Sequence, residues 1–208
     1  IGEPDQLQIN VIGQSDVICF GEESGTVTYA VTGGTPPYTI DADFVEINED
    51  GEYIYEDLAV FAGTHTTTVT DIYNCEPEQD ATFIIDQPDA ALQIDVTATT
   101  DALCFEQESG TVTFTISGGT PPYTVEGAVF VEINEDDEYI YEDLAVFAGT
   151  HTISINDNTG GCPDFISFNI GEPDQLQINV IGQSDVICFG EESGTVTYAV
   201  TGGTPPYT

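Results

Sequence analysis

The sequence predicts an all-β protein in which immunoglobulin-like β-sandwich modules of about 85 residues follow one another in a linear array. Three observations predict it. Residues 1–39 recur letter for letter as residues 170–208. A second echo lies between, where Phe44 to His65 returns as Phe130 to His151 with Gly51 replaced by Asp137. Self-similarity at a fixed period marks a repeat architecture. Within each repeat, apolar residues alternate with Thr, and turn-forming clusters separate the alternating runs.

Each element can be justified in chain order. Leu7, Ile9 and Val11 alternate with polar residues, as do Leu92, Ile94 and Val96. Val27, Tyr29 and Val31 fall on one strand face and Thr26, Thr28 and Thr32 on the other, with counterparts at Val112, Phe114, Ile116 and at Val196, Tyr198, Val200. Val, Ile, Thr and Tyr suit a pleated, half-buried surface. Later in the second repeat, His151, Ile153 and Ile155 alternate with Thr152 and Ser154. Gly33-Gly34-Thr35-Pro36-Pro37, Asn48 to Gly51 and Asp71 to Cys75 read as turns. Six or seven short strands in such a length describe a sandwich. The boundaries expected are residues 1–4 as the end of a preceding module, 5–88 and 89–173 as two complete repeats, and 174–208 as the opening of a third. Short proline-bearing joints, Ile85 to Asp89 and Ile170 to Asp174, leave the modules little room to swing. The sequence starts without a basic segment or a Met and stops within a repeat, and it reads as a window on a longer array.

Composition removes whole classes of function. The chain has 208 residues, 38 Asp plus Glu, no Lys or Arg, and a formal net charge of −38. Counterion release from nucleic acid needs basic side chains, so nucleic-acid binding is not expected. Anionic membranes are repelled, and no apolar run reaches the length of a membrane helix. A P-loop lysine, an arginine clamp and a Schiff-base lysine cannot be built. With 40% hydrophobic residues the chain still has enough apolar surface for packed cores.

The runs Ser24–Thr28, Gly33–Thr39, Leu58–Thr66 and Asp71–Cys75 together resemble the SprB-type repeat, with Gly-Gly-Thr-Pro-Pro-Tyr as the most specific part. That resemblance implies a secreted sandwich module of very large surface adhesins of gliding Bacteroidota, exported by type IX secretion. It also implies an extracellular, cell-surface location and a filamentous adhesive role.

The five cysteines give a further expectation. Cys19 and Cys75 fall within the first repeat, Cys104 and Cys162 within the second, and Cys188 copies Cys19. The spacing assigns disulfides Cys19–Cys75 and Cys104–Cys162 and an oxidising compartment; the alternative is reduced, buried thiols. Strand parity stays open: a bridge at one end of a module requires an even strand count, whereas head-to-tail stacking favours an odd one.

Other chemistry is weighed against packing. Glu46 to Gly51 spaces oxygens as a calcium loop does, but Asp57 stands where that loop type wants Glu, and Asp137 where it needs Gly, so a hairpin turn is the expected reading. Asp86, Asp89, Glu172 and Asp174 at the joints offer a separate place for Ca2+. No cofactor is required. His65 and His151 read as packing residues near strand ends, and Tyr38 and Tyr123 as packing rather than sugar-stacking residues. The adjacent acids Glu56-Asp57 and Glu142-Asp143 carry no pocket signature, and no triad is evident, so no enzyme is expected. The expected role is a shaft whose partners are its own neighbouring modules. The alternatives are a calcium- or glycan-binding repeat acting by avidity on surface glycans, and lateral self-association into filaments.

Overall fold

A computed structural model describes residues 2–208. The described residues form fifteen strands and no helix, in antiparallel sheets. They divide into two compact units. The first holds the residues up to Leu92 together with Gly118–Tyr123 and Asn156–Pro163; the second holds Gln93–Ser117, Thr124–Ile155 and Asp164–Thr208.

In the first unit, β1 (Gln8–Ser15), β2 (Gly25–Thr32), β4 (Tyr53–Val60) and β3 (Asp43–Ile47) make one sheet in that order. A second sheet pairs β5 (Gly63–Thr67) with β6 (Ala81–Ile85). Alternation places Val27, Tyr29 and Val31 of β2 in the core, each at most 1% exposed, against Phe83 and Ile85 of β6 and Val69. Burying side chains of this size stabilises by about 1.5–3 kcal/mol each. The Tyr29 hydroxyl, which would be costly to bury alone, hydrogen-bonds Thr67 Oγ1 at 2.9 Å across the sandwich. The opposite strand faces carry hydroxyl pairs such as Ser15–Thr26 at 2.8 Å.

The second unit repeats this plan. β7 (Gln93–Thr100), β8 (Gly110–Ser117), β11 (Tyr139–Val146) and β10 (Val129–Ile133) form its four-stranded sheet. The facing sheet is β13 (Asp164–Ile170), β12 (Gly149–Asn156) and the two-residue β9 (Thr124–Val125). Val112, Phe114, Ile116, Ile155 and Ile170 are buried, and Phe114 stacks on Tyr141 with centroids 5.9 Å apart. β14 (Gln177–Ser184) and β15 (Thr195–Thr201) pair in the register of β1 and β2, down to the same bulge, at Val11/Gly13 in one and Val180/Gly182 in the other. The fold is therefore all-β and built from tandem immunoglobulin-like sandwich repeats.

One structure-specific detail positions the functional loops. β3 pairs only with the half of β4 nearest Tyr53, from Asp43↔Glu56 to Ile47↔Tyr53. The chain between β2 and β4 thus climbs only to the level of Asp43, with Thr39 bridging Thr70, returns along β3 and turns into β4 at Asn48, without crossing the sandwich.

Candidate functional site

The residues that recur with the most specific local chemistry are two loops at opposite ends of the repeat. The first end is built on the Gly-Gly-Thr-Pro-Pro-Tyr element. Gly33 has φ +69°, and a Cβ there would run into the Gln6 carbonyl oxygen. Glycine is therefore required for this approach. Tyr38 turns its hydroxyl back to donate to the Gly33 carbonyl and packs edge-on against Tyr53, 5.0 Å between centroids. Tyr123 and Tyr207 make the same bond to Gly118 and Gly202. The tyrosines are thus clamps on this turn, each spending its hydroxyl within the fold.

Beside the turn lies a buried carboxylate. Asp71 is 4% exposed; its Oδ1 accepts from the backbone amides of Tyr73 and Cys75, both at 2.9 Å, and its Oδ2 from the amide of Thr35 at 3.1 Å. The amide bond from Cys75 is the largest influence holding this carboxyl below its ordinary range, against the opposing effect of burial. Asp157, also 4% exposed, does the same for the second repeat's sequence. Its Oδ2 accepts from the Thr120 amide at 2.9 Å, and its Oδ1 from the Thr159 amide and hydroxyl. Burial pushes this carboxyl up, but the bonds from Thr159, Thr120 and Gly160 outweigh it and hold it low. One aspartate thereby fixes the cysteine loop onto the proline turn in each repeat. The Asp-x-x-x-Cys spacing signalled a turn; that its Asp is the buried anchor was not read from the sequence.

The other end carries the cysteine that follows the first strand. The Ile18 amide donates to Ser24 Oγ at 3.0 Å, the Glu22 amide to the Cys19 carbonyl at 3.1 Å, and the Gly21 amide to Gln87 Oε1 at 2.9 Å. The end where β6 leaves the sandwich is also where Val17 bonds Asp86, so Cys19 sits there.

These placements correct the expected disulfides. Cys19 bonds Cys162, with Cα atoms 5.6 Å apart and 143 residues between them in sequence, and Cys75, Cys104 and Cys188 are exposed free thiols. The pairings Cys19–Cys75 and Cys104–Cys162 do not form. The reason is the half-length β3: only β2, β4 and β5 cross the whole sandwich between Cys19 and Cys75, an odd number, so the two cysteines end on opposite ends. The loop that carries Cys162, residues 156–163, belongs to the same compact unit as Cys19. It comes so close that a Cβ on Gly161 would stand 2.9 Å from Ile18 Cγ2.

The remaining candidates take structural positions. Asn48 Oδ1 accepts from the amides of Asp50 and Glu52, and its amide nitrogen donates to Glu52 Oε2 at 2.7 Å. Asn134 does the same with Asp136 and Glu138, so both segments are hairpin turns between an edge strand and its neighbour. Asp57 and Asp143 accept from the amides of Ala59 and Ala145 at the ends of β4 and β11, beside Glu56 and Glu142. At the joints, Asp86 donates its amide to Asp16, and Glu172 accepts from the Glu106 amide. Among the described residues no three His, Cys, Asp or Glu side chains converge as a metal cluster. His65 bonds the Phe61 carbonyl at 2.8 Å and stacks on Phe83, as His151 does with Phe147 and Phe168.

The family model described as the SprB repeat matches the chain at three places, residues 12–41, 96–124 and 181–208. Each match begins in the first strand and ends at or just past a Gly-Gly-Thr-Pro-Pro-Tyr turn. No curated protein matches the chain. Among solved structures it is similar to the Escherichia coli adhesin FdeC, with 14% identity and a TM-score of 0.33 over 96% of this chain and 74% of that one. It is also similar to domains 4–9 of the surface layer protein SbsC, with 16% identity and a TM-score of 0.30 over 87% and 33%. A tetra-tandem repeat in the extending region of a large adhesion protein matches with 14% identity and a TM-score of 0.27 over 94% and 62%.

Proposed function

We propose that the chain is a shaft segment of a very large, secreted, cell-surface adhesin, and that its repeats of about 85 residues supply length and stiffness rather than chemistry. The observation that carries this reading is repetition of one SprB-type fold with its polar groups spent internally. The tyrosines clamp turns, the buried aspartates anchor loops, and the histidines pack on phenylalanines. A spacer needs such uniformity, whereas a catalytic chain needs one unlike site. The disulfide fits an oxidising, extracellular setting, and the resemblance to gliding adhesins supports a role in surface attachment or gliding. A net charge of −38 keeps neighbouring fibres apart.

The test is an in-frame deletion of two repeats from the full-length protein, followed by electron microscopy of the cell surface and an attachment assay. A shaft predicts fibres shortened in proportion, with attachment strength retained. Attachment lost in proportion to repeat number, together with calcium- or glycan-dependent binding by the purified 208-residue chain, would instead make the repeats the binding modules. Laterally bundled chains in the same micrographs would point to a self-assembled filament.

A further inference from the structure

The Cys19–Cys162 bond follows a rule that the other cysteines obey in sequence and in local shape. Cys104 and Cys188 stand where Cys19 does, after the first strand of their repeats. Their loops are folded alike: the amide one residue before each cysteine donates to a serine hydroxyl six residues further on, Leu103 to Ser109 and Ile187 to Ser193, as Ile18 does to Ser24. The carbonyl of each cysteine accepts from the amide three residues on, at Glu22, Gln107 and Glu191. Cys75, in turn, stands where Cys162 does, four residues after the buried Asp71 as Cys162 is five after Asp157, on a loop anchored to the same proline turn. The bonded pair thus consists of one cysteine of each kind, the first-strand kind from one repeat and the anchored-loop kind from the next, and the three unpaired thiols are exposed in the same two settings.

We infer that Cys104 bonds the anchored-loop cysteine of the SprB repeat that follows it, and Cys75 the first-strand cysteine of the repeat before it, so that each repeat in the array is tied to the next by a disulfide. The partner is another copy of this repeat, and the inference rests on the shaft reading above, in which the array carries more repeats. Each bond forms by exchange with an oxidant disulfide of the secretory compartment. One cysteine thiolate attacks a sulfur of the oxidant, giving a mixed disulfide and releasing one oxidant thiol. The second cysteine thiolate then attacks the protein sulfur of that mixed disulfide and expels the second oxidant thiol. The two protein thiols lose two protons and two electrons, and the oxidant disulfide leaves as a dithiol. Because the bonding partners lie at opposite ends of their own repeats, the bonds fall at the steps between repeats.

Disulfide mapping of the full-length protein, shaved from cells and alkylated without reduction, tests this directly. A protease specific for Asp and Glu gives four distinguishable cysteine peptides: residues 17–22, 72–76, 102–106 and 158–164. The inference expects 17–22 linked to 158–164 and 102–106 linked to 72–76, because the repeats alternate in two versions. Links of 17–22 to 72–76 and of 102–106 to 158–164 would overturn it while leaving the shaft reading intact. Alkylated peptides 72–76 and 102–106, with 17–22 still linked to 158–164, would overturn it as well, and absence of further repeats from the full-length sequence would then take the array reading with it. In the isolated 208-residue chain, kept dilute, the same mapping should find one disulfide and three alkylated cysteines.

Discussion

At the scale of single residues, Asp157 shows how one carboxylate organises a loop. Buried among donors from Thr120 and Thr159, it has no cation to pair with, since the chain contains no Lys or Arg. Hydrogen bonds to the ionised form hold its proton affinity down, and the same is true of Asp71. An ordinary Asp titrates near 3.9 in an unfolded chain. With the folded value lower, these carboxylates stabilise the fold fully above that pH, and the contribution is lost as pH falls from there through the folded value. Substituting Asp157→Asn should cost about 1–3 kcal/mol at pH 7, because an amide leaves an NH2 group facing the loop donors. The variant should also lose less stability than the parent between pH 6 and pH 3. Urea unfolding at the two pH values checks both; an equal acid loss in parent and variant would show that Asp157 is not the titrating anchor.

At the scale of elements, the central strands and the edge strands should respond very differently to the same substitution. Phe114 on β8 is fully buried, stacked on Tyr141, whereas Phe130 on the edge strand β10 is 48% exposed while touching that same tyrosine. Phe114→Ala should destabilise the chain by about 3–5 kcal/mol. Phe130→Ala should cost well under half of that, as read by thermal unfolding of the two variants side by side. The central strands were legible because alternation at Val27, Tyr29 and Val31, and at their counterparts, maps directly onto a buried face. The turns were legible because Gly-Gly-Thr-Pro-Pro and Asn-Glu-Asp-Gly admit few backbone paths. What was not legible was where chain segments stop short. Residues 39–47 carry strand-forming side chains, and nothing in their pattern tells a full crossing from the half crossing that β3 makes. That one difference reverses the parity between Cys19 and Cys75 and moves the disulfide from within a repeat sequence to between two of them. The buried anchors Asp71 and Asp157 were hidden for another reason: among 38 acidic residues, nothing in composition marks the two that turn inward.

At the scale of the whole molecule, charge and connectivity dominate. With a net charge of −38 and no Lys or Arg, carboxylate–carboxylate interactions are repulsive throughout. Raising ionic strength from about 0.01 M to about 0.15 M shortens the screening length from about 30 Å to about 8 Å. The melting temperature should therefore rise with salt, and solubility should fall as pH approaches the sequence pI of 4.1; a salt-independent melting temperature would mean that repulsion does not limit stability. Connectivity matters most under load. The Cys19–Cys162 bond spans a sequence separation of 143 residues, so tension applied to the two ends of the chain passes through the two sulfurs and bypasses every strand from β2 to β12. By chain entropy, closing so large a loop also contributes about 5 kcal/mol to stability. At about 3.5 Å per extended residue, the bond hides about 500 Å of contour length. Pulled from its ends in an atomic force or optical trap, the oxidised 208-residue chain should release only the short segments outside the loop. With a reducing agent present, a further extension of about 500 Å should appear, delivered in steps as the sandwiches open. Equal extension with and without the reductant would mean that tension does not run through this bond. A fibre that anchors a cell against shear gains from the first behaviour, because its length is then limited by covalent bonds rather than by how firmly each sandwich resists unfolding.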